Sequence, residues 1–239
     1  MNREELLKSS AASIGVELND VQIAQFIKYY EILVEWNSFM NLTGITEYEE
    51  VIQKHFVDSL ALCKSLDVEN IETLIDIGTG AGFPGIPLKI AYPHLKVTLL
   101  DSLQKRIKFL NEVVSQLGLE NVETIHGRAE DFAKPSMKRE SYDVCVSRAV
   151  ANLASLSEYC LPYVNLGGYF VPYKSGKVEE ELEESKRAVF LLGGKIEEEV
   201  KFMLPDSDIS RSLIKIKKVS ATPKKYPRKS GLATKEPIK

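Results

Sequence analysis

An apolar run that ends in an acid and then in alternating glycines leaves few folds open to this chain: Thr73-Leu74-Ile75-Asp76-Ile77-Gly78-Thr79-Gly80-Ala81-Gly82-Phe83-Pro84-Gly85. The run reads as a buried strand. Three glycines within five residues let the backbone turn sharply and let a ligand approach it without Cβ interference. Pro84 and Pro87 suit the first turn of a helix, where a missing N–H costs little. The free N–H groups of such a turn are expected to suit a negatively charged ligand group. This is a nucleotide-type loop on a strand–turn–helix unit.

From about residue 70 onward, short apolar strands alternate with helical stretches. Strands are expected near 73–77, 96–101, 122–126, 142–147, 166–172, 195–203 and 211–217, and helices near 84–91, 104–117, 152–161 and 177–192. Alternation of this kind predicts an α/β fold, a seven-stranded and mostly parallel sheet with helices on both faces. The last two strands have no helix between them and are expected to form an antiparallel hairpin. Ligands of such sheets lie at the carboxyl ends of the strands. That rule lines up Asp76, Asp101, Gly127-Arg128-Ala129-Glu130 and Ser147-Arg148 along one rim.

Before this region, residues 1–68 read as an N-terminal helical extension. Asn19 or Asp20 can cap a helix with apolar residues from Val21 to Trp36 at helical spacing, ending near Asn41-Leu42-Thr43-Gly44. Thr46, with Glu49 three residues on, predicts a capping box for a second helix. Three regions result: the helices of 1–68, a catalytic-type domain over 69–220, and a basic tail over 221–239.

The glycine pattern decides against a dinucleotide. That fingerprint, G-x-G-x-x-G, needs its third glycine where this chain has Phe83. Asp76 at the strand end would repel a pyrophosphate and attract a cation. S-adenosylmethionine carries an amino group and a sulfonium and no phosphate. Val97-Thr98-Leu99-Leu100-Asp101 then supplies a second strand ending in an acid, which can accept both ribose hydroxyls of an adenosine.

Composition narrows the setting. There is no N-terminal apolar segment of signal type and no run of eighteen apolar residues, so a membrane location is not expected. Cys63, Cys145 and Cys160 share no metal-type spacing and are expected to be buried thiols in a reducing cytoplasm. His55, His94 and His126 are too scattered for a metal site, and no metal is expected. The net charge of -3 hides an asymmetry: Arg211 to Lys239 carry ten Lys/Arg and one acid, a balance of +9, which leaves -12 on the first 210 residues. A basic end on an acidic body suits a polyanion. In the tail, Lys224, Lys225, Arg228 and Lys229 bracket Tyr226 among prolines and glycine, with no regular element expected. Cations around one aromatic suit phosphate contacts and stacking on an unpaired base. A solvated tail and a lid packed on the domain are the alternatives.

The sequence argues against some methyl acceptors. Exocyclic amine methylation goes with an Asn/Asp-Pro-Pro-aromatic turn after the fourth strand, where this chain has Ser147-Arg148-Ala149-Val150. Pyrimidine carbon-5 methylation needs a cysteine nucleophile at the strand end, and Cys145 lies within an apolar strand. A ring nitrogen such as guanine N7 has an in-plane lone pair and no proton to lose, so no general base is required. Arg148 at the rim can donate to guanine O6, to a phosphate, or to the cofactor's carboxylate.

These residues resemble the RsmG (GidB) family. Asp76-Ile-Gly-Thr-Gly-Ala-Gly-Phe-Pro-Gly-Ile-Pro87, Gly127-Arg128-Ala129-Glu130, Ser147-Arg148-Ala149 and Tyr226-Pro227-Arg228-Lys229 carry the resemblance, with Asn41-Leu42-Thr43 and His55-Phe-Val-Asp58-Ser59-Leu60 in the opening helices. The resemblance implies a Rossmann-like S-adenosylmethionine-dependent methyltransferase acting on N7 of a guanine in the 530 loop of 16S ribosomal RNA; separately, a monomer is expected. It implies that Asp76, Gly78, Gly80 and Phe83 line the methionine side of the cofactor. Asp101 then holds the ribose and Ala129-Glu130 the adenine, with Arg148 at the cofactor edge facing the guanine. His55 and Asp58, three apart on a helix, are expected to pair with each other. A methyltransferase acting on a small molecule or another RNA, and a non-catalytic RNA-binding module, remain as rival readings.

Overall fold

The computed structural model describes residues 2–148, 151–176 and 178–238. The helices are α1 (Arg3–Ala12), α2 (Asp20–Met40), α3 (Tyr48–Val51), α4 (Asp58–Leu60), α5 (Gly85–Ala91), α6 (Gln104–Gln116), α7 (Ala129–Phe132), α8 (Leu153–Cys160), α9 (Glu179–Leu191) and α10 (Leu232–Lys235). The strands are β1 (Thr73–Ile77), β2 (Lys96–Asp101), β3 (Val122–His126), β4 (Tyr142–Arg148), β5 (Val164–Ser175), β6 (Gly194–Met203) and β7 (Ser210–Lys218). They form one sheet in the order β3-β2-β1-β4-β5-β7-β6. The first five strands run parallel, and β7 is antiparallel to both β5 and β6. The expected terminal hairpin is present, and β5 runs from 164 to 175, longer at both ends than its apolar text implied.

Alternation along the strands explains the two cores. In β4, Val144 and Val146 join the core shared with α2, α5 and α6, while Cys145 joins the core on the opposite face. The N-terminal helices belong to the first of these cores, since Leu7, Phe26, Phe56 and Leu60 pack with Leu74, Val97 and Val144. Asn19 caps α2 reciprocally with Gln22, and the Gln22 amide then reaches the carbonyls of Ile90 and Ala91 at the end of α5. The cap thereby docks α2 on the nucleotide-loop unit.

Several expectations need correction here. Thr46 does not cap the next helix: Glu47 stands at that position, and its side chain makes no capping bond. A π-helical stretch, Ile52–Val57, then separates α3 from α4, which no apolar spacing announces. Cys145 and Cys160 are buried, whereas Cys63 is only half-buried. The turn residues Ala149 and Val150 lie outside the described residues.

The tail is the largest correction. Residues 221–238 pack against the domain and include the short helix α10. Tyr226 is only 8% exposed and belongs to the second core, so its ring is not a platform for an RNA base. Arg139 donates to the carbonyls of Thr222, Pro223 and Tyr226. Arg228 makes a forked pair with Glu158, at 3.0 Å from Nε to Oε1 and 2.7 Å from Nη2 to Oε2. Tail composition conceals these acids because they lie far upstream; Glu158 is seventy residues away. Lys224, Lys225 and Lys229 remain exposed.

Candidate active site

The sheet order places the carboxyl ends of β3, β2, β1 and β4 side by side, and the rim they form opens on a cavity of about 800 Å³. Gly78, Thr79, Gly80, Ala81 and Phe83 form one wall, with Asp101, Ser102 and Arg106 beside them. Leu42 and Thr43 come from the loop after α2, His55 and Asp58 from the helical stretch that follows it, and Arg148, Tyr173, Lys174 and Arg211 from the far strands.

The glycine loop is held from two sides. Gly78, Gly80 and Gly82 all have positive φ, the region glycine enters without cost. A Cβ on Gly82 would lie 2.7 Å from Ile86 Cγ1 and 2.8 Å from the Tyr29 hydroxyl, so this glycine serves packing as well as turning. The buried Tyr29 donates its hydroxyl to the Ala81 carbonyl and packs its ring 5.4 Å from that of Phe83. From beneath, Asp76 Oδ2 accepts from Thr79 Oγ1 at 2.7 Å and from the Gly85 N–H at 2.9 Å. The start of α5 is therefore occupied by the chain's own carboxyl group, and the anion expected there has no place. Asp76 Oδ1 is buried without a hydrogen-bond partner.

Asp101 binds the loop from the other side. Its Oδ2 accepts from the Gly80 N–H at 2.9 Å and from Arg106 Nη1 at 3.1 Å, and its Oδ1 from the Leu103 N–H at 2.9 Å. Two of these donors are backbone. Arg106, with a side chain 35% exposed, is the one that a ligand hydroxyl can replace. Ala129 and Glu130 open α7, after β3, but do not line this cavity; Glu130 Oε1 accepts the Gly231 N–H of the tail at 2.9 Å.

Opposite the loop stands a network that residue spacing did not announce. Asp58, only 2% exposed, accepts from Arg148 Nη1 at 2.9 Å and from Arg211 Nε at 3.2 Å. His55 and Asp58 do not pair with each other as expected; both meet Arg148, whose Nη2 lies 3.4 Å from His55 Nδ1. Arg148 can only donate, so Nδ1 accepts and the ring proton sits on Nε2, 2.9 Å from Thr43 Oγ1. The His55 ring stacks on Phe83 at 4.5 Å, and the Arg148 guanidinium lies 5.2 Å from the same ring. Two guanidinium groups over one carboxylate leave this wall positive. Lys174 adds a third cation, bonded to the Ala151 carbonyl and to Glu181. The link from 58 to 148 to 211 crosses three elements, and only the Asp58 and Arg148 motifs marked it in the sequence.

Burial, with Arg148 beside it, lowers the His55 pKa from 6.5 to about 4, so its neutral form prevails at neutral pH. Burial raises the Asp76 carboxyl from 3.8 to about 6, against the pull of Thr79 and Gly85. The signs oppose each other between pH 4 and 6. There the folded chain holds an Asp76 proton that the unfolded chain lacks, which lowers stability as pH rises. It lacks a His55 proton that the unfolded chain holds, which raises stability as pH rises. Asp76→Asn removes the first effect only. Urea unfolding of the variant between pH 4.5 and 6 is therefore expected to show stability climbing more steeply than wild type, by roughly 1 kcal/mol per pH unit. Equal slopes would contradict the assignment.

Among the described residues no group of His, Cys, Asp and Glu could hold a metal ion, and no helix is long and apolar enough to cross a membrane.

Comparison with known proteins bears on this cavity. A family model described as rRNA small subunit methyltransferase G matches residues 22–214. A protein of Lachnoclostridium phytofermentans named Ribosomal RNA small subunit methyltransferase G is 63% identical over 226 residues, covering 95% of this chain and 93% of its own. One of the same name from Alkaliphilus metalliredigens is 51% identical over 239 residues, with both chains fully covered. Among solved structures, a SAM dependent methyltransferase from Aquifex aeolicus superposes with a TM-score of 0.53 at 20% identity, over 70% of this chain and 92% of that one. M. jannaschii TYW2 in complex with AdoMet superposes with a TM-score of 0.52 at 15% identity, over 68% and 77%. At such identities these two likenesses speak to the fold alone.

Proposed function

The chain belongs to the rRNA small subunit methyltransferase G family, and on that premise we propose that it transfers the methyl group of S-adenosylmethionine to N7 of a guanine in the 530 loop of 16S ribosomal RNA. The observation that carries this reading is the two-sided cavity: the glycine loop and Asp101, with Asp76 buried behind the loop, face a wall of guanidinium groups. S-adenosylmethionine, when bound, supplies an electrophilic methyl group on a sulfonium.

The residues of the first wall fit that cofactor. Asp76 Oδ1 is a buried carboxylate oxygen with no partner, suited to a cation. Gly78 and Gly80 keep the backbone open to close approach, and Phe83 offers an apolar face. Asp101 holds the loop in place and can accept ribose hydroxyls. Asp101→Ala is expected to weaken cofactor binding by about 1.5–3 kcal/mol, the worth of a hydrogen bond to a charged group. Calorimetric titration checks it; unchanged affinity would remove Asp101 from the site.

The second wall suits the substrate. Guanine N7 needs no deprotonation, and the wall leaves no base free: the one free lone pair of His55 is turned to Arg148, and Asp58 is held by Arg148 and Arg211. Arg148 donates to O6 of the guanine, leaving the N7 lone pair free, or to a phosphate, and Asp58 positions it. Arg211 and Lys174 neutralise phosphates near the target. Catalysis is then mostly alignment of the lone pair with the methyl group. Lys224, Lys225 and Lys229 on the packed tail give a secondary contact for the RNA backbone. The reading also places the protein in the cytoplasm, acting as a monomer. Transfer of labelled methyl groups to ribosomal RNA tests it.

A further inference from the structure

The last turn of α2 carries a large aromatic side chain with no covering partner. Phe39 is 65% exposed, yet one side of it is braced: its ring lies 5.5 Å from that of Trp36, and Trp36 meets the buried Phe109 of α6 edge-on at 5.7 Å. The result is a fixed aromatic step with an open outer face.

A cation of α6 reaches this turn, and the residues that follow α2 reach the cavity. Residues 36–40 are Trp-Asn-Ser-Phe-Met, with the exposed Glu35 one turn before Phe39. Lys105 of α6 reaches across to donate to the Met40 carbonyl at 3.1 Å, which ties the two helices together beside Phe39. Lys105 and Lys108 are exposed, Arg106 is half-exposed, and the first turn of α6 has no acid. Leu42 and Thr43, just after α2, line the cavity, as do Ser102 and Arg106 on either side of Lys105. An apolar protein surface would gain little from the exposed Lys105 beside Phe39, with Lys108 further along α6. An unpaired base stacks on such a ring, and its phosphates meet the cations.

We propose that Phe39 is a stacking platform for an unpaired RNA base next to the target nucleotide, with Lys105 contacting the adjoining phosphate. The inference rests on the RNA methyltransferase reading above and adds a subsite to it. Stacking of one base is worth enough to raise Kd about 5- to 150-fold when the ring is removed.

The test compares wild type, Phe39→Ala, Phe39→Trp and Lys105→Gln. Filter binding to protein-free 16S RNA gives Kd, and labelled methyl transfer gives KM and kcat. Phe39→Ala is expected to raise Kd and KM by that factor, with kcat and cofactor affinity within about twofold of wild type, and Phe39→Trp to restore both. Lys105→Gln is expected to flatten the salt dependence of RNA binding by roughly 0.7 in the log–log slope. Wild-type Kd and KM in Phe39→Ala would overturn the proposal. So would a parallel fall in cofactor affinity and melting temperature, which marks a structural role, or a KM effect on 30S particles without any effect on protein-free RNA, which marks a protein contact. Absence of transfer by the wild-type protein to any RNA would instead remove the functional reading, and the platform with it.

Discussion

Arg148→Ala is expected to lower methyl transfer by about 10²–10³-fold at saturating cofactor, the range seen when one preorganised donor is removed from a reaction site. The side chain lies against Phe83 and is fixed by Asp58, His55 and the Lys54 carbonyl. The same change also costs stability, because the buried Asp58 keeps only Arg211 as a charged partner. Single-turnover transfer measured well below the melting temperature separates the two effects. Arg148→Lys sharpens the comparison, since lysine can neutralise Asp58 but has no planar fork to lay over Phe83. It should recover most of the lost stability and little of the transfer. Wild-type transfer in either variant would show that Arg148 serves only to neutralise Asp58.

The second large effect is thermodynamic. Arg228→Ala is expected to destabilise the fold by about 3 kcal/mol, because Glu158 would stay buried with its counter-ion gone. Glu158 is 1% exposed and is left with the residue 228 backbone N–H alone. The double variant Arg228→Ala, Glu158→Gln should regain much of that loss. Urea unfolding of the three proteins measures it. A loss under about 0.5 kcal/mol would mean that the tail is held by its apolar contacts, Tyr226 above all, and that the pair is incidental.

What could be read from the chain alone followed the range of each interaction. Asp76, the glycines and Asp101 fall within 26 residues, and strand periodicity says where their side chains end up; all lie where the sheet topology requires. The wall of cations is different. Asp58 joins Arg148 across 90 positions and Arg211 across 153, and no local pattern encodes such a meeting. The tail shows the same limit in reverse: its cations were visible, but Glu158 and the core that takes Tyr226 were not, so charge suggested a free segment where the chain is anchored. Thr46 fails for a third reason. A capping box is a backbone geometry, and the same residue pair can stand one position away from the helix start.

The most direct measurement is transfer of labelled methyl groups from S-adenosylmethionine to naked 16S RNA and to 30S particles, followed by mapping of the modified base. The predicted result is a single labelled guanine in the 530 loop, methylated at N7 and therefore cleavable by reduction and aniline treatment. Label at another atom or in another RNA, or none at all from protein that binds the cofactor, would contradict the account.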